Sequence, residues 1–476
     1  MRMKLVIVFI LALFVRLYNL PYFASYGAET AQHYFEIIKL LQGHILLNGP
    51  LTSHPWFRLG SIPYYLFFPV FFLTRFHPLT LFYVWTAVDI LMLALNYYVI
   101  RKLFDERTSL LATLFLALSP LELLTNRAPG FYNFVIPLTY LLLYFVYKTL
   151  GRKATPFWTV FLVVGLMINL HASSLFLIPF VFGLGIFLKK FTKSSLILSL
   201  LAFTLPNIPF IISDFFKGFA MSRNLILWFP YKIVNFFSGK TLGFNRTLVK
   251  DETLLFVTDF FKTALFPPHY SFLFGLLIMA ILCMYFFMHK KTRLITIIYA
   301  WLFLGIGALI IHKNPPPHYF VPIYILPIIL VAYITNALLK QKKFKIIVYF
   351  FIIFSVVSNL LFIFSSRYLF LDKSKIPFNI SYQTQEKITR LIIRDAHGQR
   401  FSLQRIGPLD YYEGESKENY EYLLWWLGNR PVKNTLLTYI IVEDINRVPI
   451  NTGVKQIAQI NGVIILRSIL HTQYTR

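Results

Sequence analysis

Two side chains near the start of the chain have the types and spacing for acid–base chemistry. Glu29 and His33 lie in the stretch YGAETAQHYFEIIKLLQGH, which follows the first apolar run. Residues four apart share one face of a helix, so the histidine could orient the carboxylate while the carboxylate takes a proton from a hydroxyl. The alternative is an amphipathic helix whose polar face simply meets water at a membrane surface. We predict that Glu29 is a catalytic base and that His33 belongs to its site.

Several more polar residues stand at the ends of apolar runs, where a charge usually has a partner or a task. Cations in such places could hold an anionic group such as a phosphate. We therefore predict a substrate-binding role for eight residues: His33, Arg58, Arg127, Asn133, His171, Asp214, Lys313 and His318.

Single residues of this kind also have structural explanations. The arginines could extend to lipid headgroups, His171 could cap the end of an apolar run, and Asp214 could begin the next helix. Asp89 and Asn96, within an apolar run, are expected to bond to neighbouring helices, and Glu122 is expected to be a solvent-exposed loop residue. Only the gathering of the candidates on one side of the protein favours a site.

No cofactor or metal motif competes with this interpretation. The sequence lacks a phosphate-binding glycine loop, a GxSxG elbow and an HExxH helix. His312 and His318 are six positions apart, with three consecutive prolines between them, and this spacing fits no standard zinc motif. We predict no metal ligands and no certain cofactor; a divalent metal is compatible with the sequence but not indicated by it.

Composition indicates a membrane protein. Of the 476 residues, 57% are hydrophobic and only 14% are charged, against about 25% charged residues in soluble domains. The net charge of +26 could favour a nucleic-acid partner. Many positive residues, however, form short clusters between apolar runs, as in cytoplasmic loops of membrane proteins. We expect contact with membrane lipids and no nucleic-acid partner.

The apolar runs define a polytopic α-helical membrane protein, given that about 20 residues span a bilayer. Residues 21–78 are predicted to form one long external segment with interfacial helices, because the run at 61–74 is short and contains Pro63 and Pro69. About eleven spans are predicted, at 5–19, 79–99, 109–122, 133–147, 157–170, 174–188, 195–212, 271–288, 295–311, 319–337 and 346–364.

Basic residues predict the orientation, since short cytoplasmic loops are rich in lysine and arginine. Such residues follow every even-numbered span: Arg101 and Lys102, Lys148, Lys189 and Lys190, Arg293, Lys340 and Lys342. The prediction is a plasma-membrane protein with a cytoplasmic N-terminus and an external C-terminus. Under this topology Glu29 and the other candidate site residues lie on the outer side.

The chain is predicted to consist of a membrane domain, 1–365, and a small extracytoplasmic α+β domain, 366–476. SYQTQEKITRLIIRDA and ENYEYLLWWLGN have helical patterns, whereas FSLQRIG, TYIIVED and GVIILRSIL have strand patterns. About 100 residues are enough for a separate core. No catalytic motif occurs in this part. Tyr422, Trp425 and Trp426 could stack on a sugar, but we expect them to pack in the core.

The order of several short motifs resembles a known family. ETAQH at 29–33, GPLTS at 49–53 and IPYYLFFP at 62–69 come first, followed by NLHAS at 169–173, LPNIPFIISD at 205–214 and HYFVPIYILP at 318–327. This order resembles the glycosyltransferase C superfamily, and within it the lipid-carrier-dependent transferases related to protein O-mannosyltransferases and aminoarabinose transferases, glycosyltransferase family 39. The resemblance covers about residues 1–340.

The resemblance implies an integral membrane glycosyltransferase that moves a sugar from a polyprenyl-phosphate donor to an acceptor hydroxyl on a protein, lipid or glycan. It also implies that Glu29 is the base, where the family has an aspartate. The longer glutamate shifts the carboxylate by roughly an ångström, and such displacements can cost orders of magnitude in rate. A non-catalytic homologue that binds lipid-linked sugar is therefore an alternative. A transporter is another, although the polar residues lie at span ends and no internal repeat is found.

Overall fold

The computed structural model describes residues 2–52, 56–151, 155–238, 252–288, 292–365, 380–407, 416–433, 435–449 and 453–468. Ser53 of the GPLTS motif and the segment 366–379, which follows the predicted domain boundary, lie outside these residues.

Helices dominate the part of the chain up to residue 365. In chain order they are α1 (Arg2–Leu17), α2 (Leu20–Phe23), α3 (Ala28–Leu41), α4 (Ile62–Leu73), α5 (Thr80–Leu103), α6 (Glu106–Ala117), α7 (Pro120–Arg127), α8 (Val135–Leu150), α9 (Trp158–Leu170), α10 (Leu177–Phe187), α11 (Lys193–Thr204), α12 (Ile208–Phe215), α13 (Ala220–Ser238), α14 (Thr253–Thr263), α15 (Leu273–Met288), α16 (Arg293–His312), α17 (Ile325–Leu339) and α18 (Lys345–Ser365). Short 3-10 helices at Phe131–Phe134, Ala172–Phe176, Leu205–Asn207, Pro317–Ile323 and Lys342–Phe344 connect several of them.

The predicted apolar runs all lie in these helices, but not all reach spanning length. Within the described residues, five helical segments are long and apolar enough to cross a membrane, or seven if two pairs bent by 47° and 54° each count as one span. The protein is thus a helical multi-pass membrane protein. The number eleven stays a prediction, because runs such as α9 and α15 are shorter than the others.

Local sequence explains the 47° bend between α6 and α7. Pro120 cannot donate a backbone hydrogen bond and therefore suits the first turn of a helix rather than its interior. The side chain of Ser119 accepts a hydrogen bond from the backbone N–H of Glu122 and caps the new helix. The chain consequently bends between α6 and α7 and turns α7 into the protein interior, where Glu122 and Arg127 are both buried.

The long segment between α1 and α5 contains the predicted helices and one feature that was not predicted. α3 and α4 lie in this segment, and between them β1 (Asn48–Leu51) and β2 (Arg58–Gly60) form an antiparallel pair. Glycine is required at both strands: a Cβ on Gly49 would lie 1.9 Å from the carbonyl oxygen of Gly60, and one on Gly60 would lie 1.8 Å from Nδ2 of Asn169. The pair therefore packs directly on the end of α9.

The C-terminal part contains the predicted helices, α19 (Tyr382–Ala396) and α20 (Glu418–Trp426), with a four-stranded sheet. The strands are β3 (Phe401–Ile406), β4 (Leu437–Val442), β5 (Val454–Ile460) and β6 (Val463–Ser468), in the order β3-β4-β6-β5. β3 and β4 are parallel, the other pairs are antiparallel, and β5 was not predicted. Tyr422, Trp425 and Trp426 pack in a hydrophobic core as expected, and that core is the one of the membrane part rather than that of this sheet.

Candidate active site

Glu29 is the second residue of α3, and the helix follows an extended Gly27. A helix N-terminus favours a negative charge at this position. The Glu29 side chain is 72% exposed, although it stands beside several buried aromatic residues. Its carboxylate is therefore held by the helix but open to a ligand.

His33 follows one turn later and is almost fully buried. Its ring packs against Phe131, with centroids 4.9 Å apart. Nε2 lies 3.8 Å from Oε1 of Glu29, longer than a hydrogen bond, and Nδ1 lies 3.3 Å from the hydroxyl of Tyr64. A proton on Nε2 would satisfy both contacts, because His33 could then donate towards Glu29 and accept from Tyr64. The predicted i,i+4 pair is thus joined by a tyrosine from α4.

The surroundings keep Glu29 ionised. Its polar contact with His33 lowers the pKa of the Glu29 carboxyl, desolvation by the surrounding protein opposes this, and the charges of His33 and His318 lower it further. Burial raises the pKa of Tyr64, so its hydroxyl remains a proton donor. At neutral pH the carboxylate is therefore available as a proton acceptor.

Histidine and tyrosine rings from three separate segments pack next to Glu29. His171 lies at the end of α9, where its Nδ1 caps the following turn at Ser173, and its ring is 5.4 Å from that of His318. Tyr132 lies 5.1 Å from His318, and Tyr319 lies 5.3 Å from His171. The His171 side chain thus caps the start of the following 3-10 helix rather than the end of α9, and the same residue also joins this array of rings.

The far side of the array borders an apolar cavity of about 200 Å³. Its walls come from α13, α16, the Ala172–Phe176 turn and the residues Thr52, Trp56 and Phe57. Trp228, Lys232, His312 and Tyr319 are among its lining residues. Lys232 Nζ lies 5.3 Å from the centre of the Trp228 ring and donates to the carbonyl of His312 at 3.4 Å. The cavity is thus apolar with a cation at its edge.

Two of the cations predicted to bind substrate lie near Tyr64 or near the cavity. Arg58, on β2, is half-buried, with NH1 3.5 Å from the carbonyl of Gly49, and its charge acts on Tyr64. Lys313 follows α16 and places Nζ 5.9 Å from the centre of the Phe236 ring, next to the cavity residue His312. Both stay candidates for holding an anion.

Three predicted site residues instead have partners in the framework. Arg127 donates to the carbonyls of Val15 and Tyr18, both at 2.9 Å. Asn133 is buried and donates to the carbonyl of Thr125, and Asp214 accepts from the backbone N–H groups at the start of α13. These contacts hold helices together, so we remove Arg127, Asn133 and Asp214 from the candidate site.

Sequence reasoning missed Tyr64 and Lys232. The IPYYLFFP motif contained Tyr64, but nothing in the sequence distinguished its hydroxyl from that of Tyr65. Lys232 lies in α13, between apolar residues, in a stretch to which we assigned no span. Within the described residues, no group of three or more His, Cys, Asp or Glu side chains could hold a metal ion.

Known proteins were compared with this arrangement. No family model matches the sequence, and no curated protein matches it. ArnT from Cupriavidus metallidurans bound to undecaprenyl phosphate matches with 11% identity and a TM-score of 0.58, and ArnT in the apo state with 11% identity and a TM-score of 0.60. Both alignments cover 97% of this chain and 97% of ArnT. The chain has the glycosyltransferase C fold.

A second protein with the glycosyltransferase C fold also matches. The Archaeoglobus fulgidus oligosaccharyltransferase in complex with Zn and sulfate has 12% identity and a TM-score of 0.50, over 92% of this chain and 67% of that one. The resemblance predicted from the motifs is therefore confirmed at the level of the fold. The C-terminal sheet is included in that likeness, since the ArnT alignments extend over nearly the whole chain.

Proposed function

We propose that this protein is an integral membrane glycosyltransferase that moves a sugar from a polyprenyl-phosphate donor to an acceptor hydroxyl. The observation that carries the proposal is that one group of packed rings, Tyr132, His171, His318 and Tyr319, lies between Glu29 and the apolar cavity. An ionised, open carboxylate lies at one end of the ring array, and a cavity bordered by a lysine lies at the other. A base and a place for a lipid phosphate are the two parts that such a reaction requires.

The donor would lie with its lipid chain in the cavity and its phosphate near the cations. Lys232 lines the cavity, while Lys313 follows His312, another of its lining residues. ArnT has the same fold and was solved with undecaprenyl phosphate, which supports a lipid phosphate as the group bound. His318, whose charge acts on Glu29, and Arg58, whose charge acts on Tyr64, would contact the phosphate or the sugar.

Glu29 would act as the base. It would take the proton of the acceptor hydroxyl while the acceptor oxygen forms a bond to the anomeric carbon of the sugar. The bond from that carbon to the phosphate oxygen would break, and polyprenyl phosphate would leave with the electron pair. The cations would stabilise the charge that develops on the leaving phosphate. Every proton and bond in this step is accounted for without a further reactant.

The proposal predicts a large loss of turnover in Glu29→Gln. The amide keeps the shape of the side chain but removes the base, which is worth about 10²–10⁴ in rate. Purified protein would be incubated with radiolabelled polyprenyl-phosphate sugars and an acceptor extract, and transfer and donor binding would both be measured. Donor affinity should change little.

The same assay separates the alternatives. A wild-type protein that binds the donor but transfers no sugar would be a non-catalytic binding homologue. Movement of donor across proteoliposomes without product would indicate a transporter. Full transfer by Glu29→Gln would mean that the base lies elsewhere.

We also propose that the site faces the outside of the plasma membrane. In a Cys283→Ser background, single cysteines at the exposed positions Lys217 and Arg394 should react with an impermeant thiol reagent in intact cells. Cysteines at the exposed positions Lys102 and Lys342 should react only after the membrane is opened. The reverse pattern would place Glu29 in the cytoplasm.

A further inference from the structure

The C-terminal domain is bonded to the chain immediately before the candidate base. Ser25 and Ser381 form an antiparallel bridge, and the backbone N–H of Tyr382 donates to the carbonyl of Ala24 at 2.9 Å. The side-chain amide of Gln385 donates to the carbonyl of Tyr26 at 2.7 Å. All of these residues are buried, so the contact excludes water along its length.

A second set of contacts holds α3 itself. The hydroxyl of Tyr422, on α20, donates to the carbonyl of Phe76 at 2.7 Å. The Tyr422 ring packs edge-on against Tyr34 and Phe35 of α3, at 5.1 Å and 5.2 Å. The first set of contacts fixes the chain before α3. The second set holds the side of α3 that carries Tyr34 and Phe35.

These contacts lie close enough to Glu29 in the chain to fix its position. Only Gly27 and Ala28 separate Tyr26 from the base, and a Cβ on Gly27 would meet no atom within 4 Å. A glycine with open space around it would let the start of α3 tilt. The C-terminal contacts on both sides of that glycine remove this freedom, and Gln32, one turn after Ala28, also donates to Glu418 of α20 at 2.8 Å.

We propose that the C-terminal domain is a fixed positioning element of the active site, which holds Glu29 in place through Ser25–Tyr26 and Tyr422, and that it is neither an accessory module nor a moving lid. This inference rests on the proposed function of Glu29 as the base. The residues involved position the base and do not touch the substrate.

A matched pair of tyrosine variants tests the positioning. Tyr422→Phe removes a hydroxyl whose bond crosses to the membrane part. Tyr439→Phe removes a hydroxyl that bonds Asp395 at 2.6 Å within the C-terminal domain. We expect Tyr422→Phe to lower kcat about tenfold at unchanged KM, since an ångström of misplacement can cost about 10² in rate. Tyr439→Phe should leave kcat unchanged. Equal effects of the two variants would mean that the contact of Tyr422 does not position the base and that the domain is an accessory module.

A reversible cross-link distinguishes a fixed element from a lid. Bridged residues of antiparallel strands have Cα atoms about 4.5–5.5 Å apart, which a disulfide can join. Ser25→Cys with Ser381→Cys, in the Cys283→Ser background, should form that disulfide. When it is oxidised, the wild-type rate should persist and the Tyr422→Phe loss should be rescued; a reductant should return the loss. Inactivation by the cross-link would mean that the domain must move.

Hydrogen exchange of the α3 amides tests the positioning role without depending on transferase activity. Amides of α3 should exchange faster in Tyr422→Phe than in Tyr439→Phe, and the oxidised cross-link should slow them again. If the wild-type protein transfers no sugar, the proposed function fails, whereas α3 exchange still reports whether the domain holds the helix. Unchanged α3 exchange in Tyr422→Phe would overturn the positioning role.

Discussion

Two clusters in this protein combine carboxylates with cations, and they differ in how their hydrogen bonds are used. In the first, Glu29 is open and its nearest imidazole nitrogen is 3.8 Å away. In the second, Arg16 of α1 bonds both oxygens of Asp89 of α5, at 2.5 Å and 3.1 Å, and also the carbonyl of Ala117 at 2.8 Å. Both members of this pair are fully buried.

The difference separates a framework pair from a candidate site. The Arg16 guanidinium is buried and uses four of its five N–H donors on Asp89 and on backbone carbonyls, so its charge is committed to the framework. An exposed carboxylate with one long contact keeps its lone pairs for a substrate. Each cluster pairs a carboxylate with a basic side chain, so the difference in chemistry depends on which polar atoms the packing leaves open to a ligand.

The largest effect that follows from this comparison is on stability. Arg16→Ala leaves the Asp89 charge buried without its partner, and breaking a buried pair in this way costs about 3–5 kcal/mol. Thermal unfolding in detergent should therefore shift strongly downward. Glu29→Gln, at an exposed position, should stay within about 0.5 kcal/mol of the wild type. Similar melting temperatures for the two variants would contradict the division into framework and site.

An intermediate effect is expected on donor binding. Lys232→Ala removes a cation at the edge of the cavity, and a hydrogen bond to a charged group is worth about 1.5–3 kcal/mol. The Kd for polyprenyl phosphate, measured in detergent, should rise accordingly with little loss of stability. Lys217→Ala, which changes an exposed lysine elsewhere, is the control. Unchanged affinity in Lys232→Ala would mean that the phosphate does not bind next to Lys232 at the cavity.

The smallest effect concerns the tyrosine behind His33. Tyr64→Phe removes the donor to Nδ1 and frees the imidazole to turn away from Glu29, so kcat should fall severalfold. Because the contact with His33 lowers the pKa of Glu29, losing it should raise that pKa and move the acidic limb of the pH–rate profile to higher pH. Tyr65→Phe, whose hydroxyl bonds the backbone of Leu46, should change neither value. If the acidic limb does not shift in Tyr64→Phe, Tyr64 has no influence on the pKa of Glu29.

The sequence was informative where interactions are local or where apolar runs are long. The i,i+4 spacing of Glu29 and His33 needed only a helix, and Asp89 was correctly expected to bond a neighbouring helix. Asn96, which donates to Thr113, follows the same rule. Long apolar runs and the order of the motifs were sufficient for the fold, because both persist when most individual residues change.

The sequence was misleading where burial depends on distant segments. Glu122 was expected to be exposed, but the bend at Pro120 places it in the interior, where its side chain meets Thr125. Arg127 is used by carbonyls of α1 and the turn after it, more than 100 residues earlier. Tyr64 and Lys232 were missed for the same reason, since their partners come from other helices.

The bond between Gln385 and Tyr26 joins residues 359 positions apart. A ribosome adds roughly 5–20 residues per second, so the start of α3 waits about 20–70 s for the segment that holds it. The helices α1 to α18 are all synthesised before these bonds to the chain ahead of Glu29 can form. On the positioning proposed above, a chain that stops before residue 380 would enter the membrane without the bonds that hold the start of α3.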